Sequence, residues 1–137
     1  MAGGPKVLIV DDEERFRMTM GKLLRVKGLE PTIAGSGPEA IDQLRQCQFD
    51  VVVLDVRMPE MGGVHVLSEL KKIDPEVEVI IMTGYASVDT AKEITKLGAY
   101  DYMLKPYVIE ELVEKIEAAY DRKIARKKLV GERPKAT

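Results

Sequence analysis

Cysteine, histidine and long apolar runs are all scarce in this chain of 137 residues. The single cysteine, Cys47, excludes an internal disulfide and a cysteine-rich zinc site. The single histidine, His65, leaves no His/Cys set for zinc and reads as an ordinary surface residue of a helical segment. Apolar runs stop at about four residues, as in Val7-Leu8-Ile9-Val10, where a membrane-spanning helix needs about 20. The opening Met1-Ala2-Gly3-Gly4-Pro5-Lys6 leads straight into that run with no room for a signal peptide. No membrane association and a reducing, cytoplasmic setting are the expectation. There is no Walker loop, no internal repeat and no low-complexity tract.

The length suits one domain, and 45% hydrophobic with 32% charged residues is ordinary for a folded, soluble chain. The net charge of −2 hides an asymmetry. From Asp121 to Thr137 there are seven Lys/Arg against two acids, +5, and the remainder has 14 basic against 21 acidic residues, −7. An acidic body therefore carries a short basic tail. Such a tail can meet nucleic acid or an acidic partner. At a helix end it reads as a solvated face, so no direct nucleic-acid binding is expected.

Apolar blocks at Val7–Val10, Val51–Leu54 and Val79–Met82, with weaker ones at Thr32–Ala34 and Tyr102–Leu104, alternate with helical periodicity. Runs without polar alternation are strands buried on both faces, as in a parallel sheet covered on both sides. The two weak blocks suit the edges, and Pro31 at the start of one agrees, because an edge tolerates proline. Helical segments lie between. Glu14 to Arg25 sets Phe16, Met20, Leu23 and Leu24 on one stripe. Ser36-Gly37-Pro38-Glu39 is a capping box with proline in the first turn, after which Ile41 and Leu44 face inward. Val64, Val66, Leu67 and Leu70 mark a third helix. Ser87 caps a fourth, which Gly98 ends in left-handed conformation. Ile109, Leu112, Val113, Ile116 and Tyr120 define a fifth, running towards the basic tail, with Gly131 onward unstructured. Strict β-α alternation, five times over, predicts a (βα)5 doubly wound α/β fold.

In such folds functional groups gather beyond the carboxyl ends of the strands. Strand one ends in Asp11-Asp12, strand three in Asp55, strand four in Thr83 and strand five in Lys105-Pro106. Singly, each has a dull explanation: Asp12 or Glu13 as a helix cap, Asp55 as a turn residue, Thr83 as a strand residue. Jointly they do not. Three carboxylates at one edge raise each other's pKa, and one lysine cannot neutralise them all. A small divalent cation among them resolves the conflict, and oxygen-only donors with several waters suit Mg2+ over Ca2+.

Val10-Asp11-Asp12-Glu13, Leu54-Asp55-Val56-Arg57-Met58-Pro59, Met82-Thr83-Gly84 and Tyr102-Met103-Leu104-Lys105-Pro106, in this order and spacing, resemble the receiver domain (CheY-like) of bacterial two-component response regulators. The resemblance covers residues 5–122 and leaves 123–137 as a basic helix extension and disordered tail. It implies a flavodoxin-like five-stranded parallel sheet in order 2-1-3-4-5. It also implies that Asp55 accepts a phosphoryl group from the phosphohistidine of a sensor histidine kinase. Asp11, Asp12 and Asp55, with the backbone carbonyl of Arg57, would hold Mg2+. Thr83 and Lys105 would bind phosphoryl oxygens, and Tyr102 would be the aromatic switch that answers Thr83. Downstream, the resemblance implies an effector protein or a separate output domain, and a homodimer through the fourth and fifth helices and the strand between them. Thr83 to Ala91 and Leu97 to Tyr102 look most like receivers attached to ATPase-type transcription activators.

The chain departs from the family pattern in two places. The loop after the nucleophile reads Met58-Pro59-Glu60-Met61-Gly62-Gly63, where the family has a polar residue before the last glycine; glycine accepts a left-handed turn without strain, so only a local side-chain bond is lost. Val108 replaces the usual polar cap of the fifth helix, which leaves its first turn open to fraying, although Glu110 and Glu111 complement the dipole. Arg57 and Tyr85, together with Pro106, are expected to flank the pocket mouth, where the bulk of Arg57 and Tyr85 should hinder in-line water. Two other readings fit less well. A metal-dependent phosphohydrolase with Asp55 as covalent intermediate needs a substrate-enclosing cap, and the loops are short. A flavin-binding module is disfavoured because Asp11-Asp12-Glu13-Glu14 would repel a flavin phosphate.

Overall fold

In the computed structural model five strands and five helices alternate along the chain, and residues 4–56, 61–84, 88–104 and 107–132 are described. The strands are β1 (Lys6–Val10), β2 (Glu30–Ala34), β3 (Val51–Val56), β4 (Glu78–Thr83) and β5 (Asp101–Leu104). The helices are α1 (Glu14–Val26), α2 (Gly37–Gln46), α3 (Met61–Ile73), α4 (Val88–Lys96) and α5 (Ile109–Glu132). All strand pairs are parallel and the order is β2-β1-β3-β4-β5. The weak blocks are indeed the edges, with Pro31 on β2.

The unbroken apolar runs are explained by two cores, one on each face of the sheet. Leu8, Val10, Val52, Leu54, Val79 and Ile81 pack with Ala40, Leu44, Leu67, Leu70 and Ile94 of α2, α3 and α4. The alternate residues Val7, Ile9, Val51, Val53, Ile80 and Met82 pack with Met20, Leu24, Leu112, Ile116 and Ala119 of α1 and α5. Right-handed crossovers set α1 on one face and α2, α3 and α4 on the other, because only the β1 to β2 step travels towards the β2 edge. The chain reverses direction between β1 and β3, and the loops leaving those two strands part to open a crevice.

Ser36 Oγ accepts a hydrogen bond from the Glu39 N–H (3.2 Å), and Glu39 Oε1 reaches back to the Gly35 N–H (2.8 Å), one residue earlier than a standard capping box. Gly28 and Gly98 follow α1 and α4 at φ +91° and +100°, where a Cβ is strained. Their turns close through Leu29 N–H to Leu24 O (3.0 Å) and Ala99 N–H to Ile94 O (3.2 Å). Two expectations are corrected, at Leu23 and at Gly131. Leu23 is 37% exposed, off the buried stripe of Met20 and Leu24. Gly62 and Gly63 lie inside α3, which already starts at Met61. In the first turn of α5 the Leu112 N–H donates to the Val108 carbonyl (3.1 Å). Finally, α5 continues through Gly131 and Glu132. Its second half is fastened to the amino edge of the sheet: Lys123 Nζ donates to Asp50 Oδ1 (2.8 Å), while Arg122 and Arg126 both bond Glu78. The expected cap Ser87 lies outside the described residues.

Candidate functional site

Strand register sets the site. Val10 pairs with Leu54, so Asp11 and Asp55 follow at one level at the carboxyl ends of adjacent strands β1 and β3, beside the crevice. Asp55 pairs with Met82, and Thr83 comes one residue later on β4. Side chains alternate along strands, so Asp55 shares the face of Val53 and Met82, and Asp11 that of Ile9, all on the α1/α5 side. Thr83 follows the parity of Ile81, and Tyr102 pairs with Ile81, which sets both on the α3/α4 side. The expected acceptor and the expected switch pair thus lie on opposite faces of one edge, a single residue level apart.

Asp11 and Thr83 are buried, Asp55 is half-buried and Asp12 is exposed. Asp11 is fixed at three points. Its N–H donates to Ala34 O (3.1 Å), its Oδ1 accepts from the Glu13 N–H (2.8 Å), and its carbonyl accepts from Arg17 Nη1 (2.8 Å). The second of these bonds sets Asp11 at the amino end of α1, where the Glu13 side chain makes no cap bond. Tyr102 is half-buried against the α2/α3/α4 core. Lys105, Arg57, Tyr85 and Pro106 lie outside the described residues.

Two nearby groups were not singled out by the sequence reading. Tyr107 meets Phe16 edge-on, with ring centroids 5.5 Å apart, joining α1 to the segment before α5. Burial, and after it the charge of Asp11, pushes the Tyr107 phenol above its usual range. Arg17 is the other. A helical side chain points back towards the amino end of its helix, so a long donor in the second turn of α1 could have been expected to reach the end of β1.

The donor chemistry fits Mg2+. Asp11 and Asp55 supply hard oxygens from one face and one level, with Asp11 Oδ2 and Asp55 Oδ1 buried within this edge. Among the described residues, no three His, Cys, Asp or Glu side chains form a cluster ready to hold a metal. Mg2+ does not need such a cage, since it commonly takes one or two carboxylates and keeps several waters.

A family model described as the response regulator receiver domain matches residues 7–117. The transcriptional regulatory protein ZraR of Escherichia coli (strain K12) is 42% identical over 113 residues, 82% of this chain and 26% of that protein. The chain therefore spans about a quarter of that curated relative's length. The solution structure of the beryllofluoride-activated NtrC4 receiver domain dimer superposes with a TM-score of 0.79 at 36% identity, covering 86% of this chain and 98% of that one. A response regulator protein from Burkholderia pseudomallei, with a phosphorylated aspartic acid, calcium ion and citrate, superposes with a TM-score of 0.76 at 26% identity, covering 96% and 76%.

Proposed function

The chain belongs to the response regulator receiver domain family of His-to-Asp phosphorelay switches, and from that premise we propose that Asp55 is its phospho-acceptor. The family uses Mg2+ and acts through its own phosphorylation and dephosphorylation rather than by turning over a separate substrate. The reading for this chain assigns Asp11, Asp12, Asp55 and the Arg57 carbonyl to the cation, and Thr83 and Lys105 to the phosphoryl oxygens. The observation that carries it is the register that brings Asp11 and Asp55 to one level at the sheet's crevice, with Thr83 one residue further on.

An ionised carboxylate is a nucleophile without help from a base. An Asp55 oxygen attacks phosphorus, the P–N bond of the donor phosphohistidine breaks, and the imidazole leaves with the bonding pair. Phosphoryl transfer has a loose transition state with charge on its equatorial oxygens, so positioning and nearby positive charge do most of the work. Lys105 and the Thr83 hydroxyl meet that charge, and bound Mg2+ offsets the repulsion between an anionic donor and an anionic pocket. Phosphorylation adds roughly one negative charge and new acceptor oxygens at Asp55. Thr83 is drawn towards them, and the space it leaves on the α3/α4 face is open to Tyr102. The α4-β5-α5 surface then shifts between two populations.

Residues 5–122 act as the receiver and 123–137 as its extension, in the cytoplasm. The partners are a sensor histidine kinase, an effector protein or output domain, and a second copy through α4-β5-α5, supported by likeness to a receiver domain dimer. Among the described residues no helix is long and apolar enough to cross a membrane. Incubation with acetyl phosphate and Mg2+, read by intact mass, tests the core of the reading. The unaltered chain should gain about 80 Da, the mass of one phosphoryl group, and Asp55→Asn should gain nothing. Labelling of Asp55→Asn to the same extent would refute it.

A further inference from the structure

Arg17 leaves the second turn of α1, runs back to the carboxyl end of β1 and donates from Nη1 to the main-chain carbonyl of Asp11 (2.8 Å). β1 ends at Val10, so this carbonyl lies one residue past the strand, at the carboxyl edge of the sheet. The guanidinium is wedged. It lies against Gly35 of the β2-α2 loop, where an added Cβ would stand 3.0 Å from Nη1 and 3.3 Å from Cζ. The Gly35 N–H is itself held by Glu39 Oε1 (2.8 Å). Arg17 therefore grips the Asp11–Asp12 peptide while Gly35 of the β2-α2 loop lies against its guanidinium. The peptide it holds is the one that joins two of the expected metal ligands.

We infer that Arg17 is a positioning residue for the metal site. It fixes the plane of the Asp11–Asp12 peptide and so sets the directions in which the two carboxylates leave the backbone. The inference rests on the reading of Asp11 and Asp12 as ligands. A purely structural role, satisfying one carbonyl and packing α1 on β2, would lower stability and leave cation affinity alone.

Calorimetric titration with Mg2+ separates the two, alongside melting curves in EDTA. Removing the group that orients a metal ligand commonly weakens metal binding about 10- to 100-fold, and Arg17→Ala should raise the Mg2+ dissociation constant by that factor. Arg17→Lys, which keeps the charge and a donor but loses the planar fork, should fall between Arg17→Ala and the unaltered chain. An unchanged dissociation constant in Arg17→Ala overturns the assignment, whatever happens to its melting temperature in EDTA. Should Arg17→Ala fail to fold, Arg17→Lys carries the same comparison, and an unchanged constant there overturns it too. Failure of the underlying reading looks different: neither the unaltered chain nor Asp12→Ala then shows saturable Mg2+ binding, and no variant of Arg17 has affinity to lose.

Discussion

Glu78 opens β4 fully buried, at 0% exposure, with two arginines of α5 upon it. Arg122 donates from Nε (2.9 Å) and Nη2 (2.5 Å), and Arg126 from Nη1 (2.8 Å). Burial pushes the Glu78 carboxyl up, but the hydrogen bonds from Arg122 and Arg126, and then their charges, outweigh it and hold it below the usual carboxylate range. Losing either arginine alone leaves the other, so Arg122→Met and Arg126→Met should each cost about 1 kcal/mol, less than a buried hydrogen bond to a charged group because both arginines are partly exposed to screening solvent. Arg122→Met also forfeits the stacking of the guanidinium on Tyr100, 4.6 Å from the ring centre. Losing both strands a buried carboxylate, which costs about 3–5 kcal/mol, with the lower end expected because both arginines are partly exposed. The double variant should therefore exceed the sum of the singles by about 1 kcal/mol. The pH dependence then reverses. In the unaltered chain the depressed pKa gives stability that is present above the ordinary carboxylate range and lost as pH falls through the folded value. In the double variant only the charge of Lys71 is left to oppose burial, so burial dominates and raises the pKa, and stability is present at low pH and lost as pH rises. Urea unfolding at pH 7 and pH 5, with equal slopes required, reads both effects. Additive losses that are the same at both pH values would refute the reasoning.

Gly37→Ala should cost about 1–3 kcal/mol, because the new Cβ would collide with Cγ2 of Val66 where α2 meets α3. Adding Val66→Ala should return part of that loss in the same urea assay, and no recovery would show the strain to lie elsewhere. Asp55→Asn should raise the melting temperature in EDTA by removing one of the carboxylates crowded at the β1/β3 edge; a lower value would count against that crowding. Replacing Arg57 and Tyr85 together by small residues should shorten the lifetime of phosphorylated protein, if bulk two residues beyond Asp55 and Thr83 hinders water as their sequence positions imply. A half-life equal to that of the unaltered chain would remove both residues from the account.

The element order was legible because burial on both faces leaves a strong imprint. Val51-Val52-Val53-Leu54 has no polar partner to alternate with, and only a sheet sandwiched between helix layers can use it. Helix ends were legible where chemistry demands a particular residue, as at Ser36 and Gly98. Val108 lacks a capping oxygen, yet a backbone bond with Leu112 closes the turn, and the apolar stripe of α5 is pinned by Leu112 and Ile116 in the core. Gly62 and Gly63 are permissive residues and follow what α3 imposes. The end of α5 was misread because Gly131 continues the helix rather than stopping it.

For the site, sequence gave positions and the sheet supplied their phase. That Asp11 and Asp55 share a face, while Thr83 and Tyr102 share the other, depends on the β1/β3 and β4/β5 registers, which no local pattern specifies. The arginine contacts were hidden for the same reason at longer range. Arg122 and Arg126 read as part of a solvated basic face, because their partner Glu78 lies 44 and 48 residues away and carries no periodic signal. The consequence reaches beyond those residues. Three of the basic groups assigned to the tail, Arg122, Lys123 and Arg126, have acidic partners on the body of the domain. The charge free to meet an acidic partner is therefore smaller than composition implies and begins beyond Arg126. The stretch of α5 from Arg122 to Arg126 is an anchor, and it sets the direction in which the end of the helix leaves the sheet.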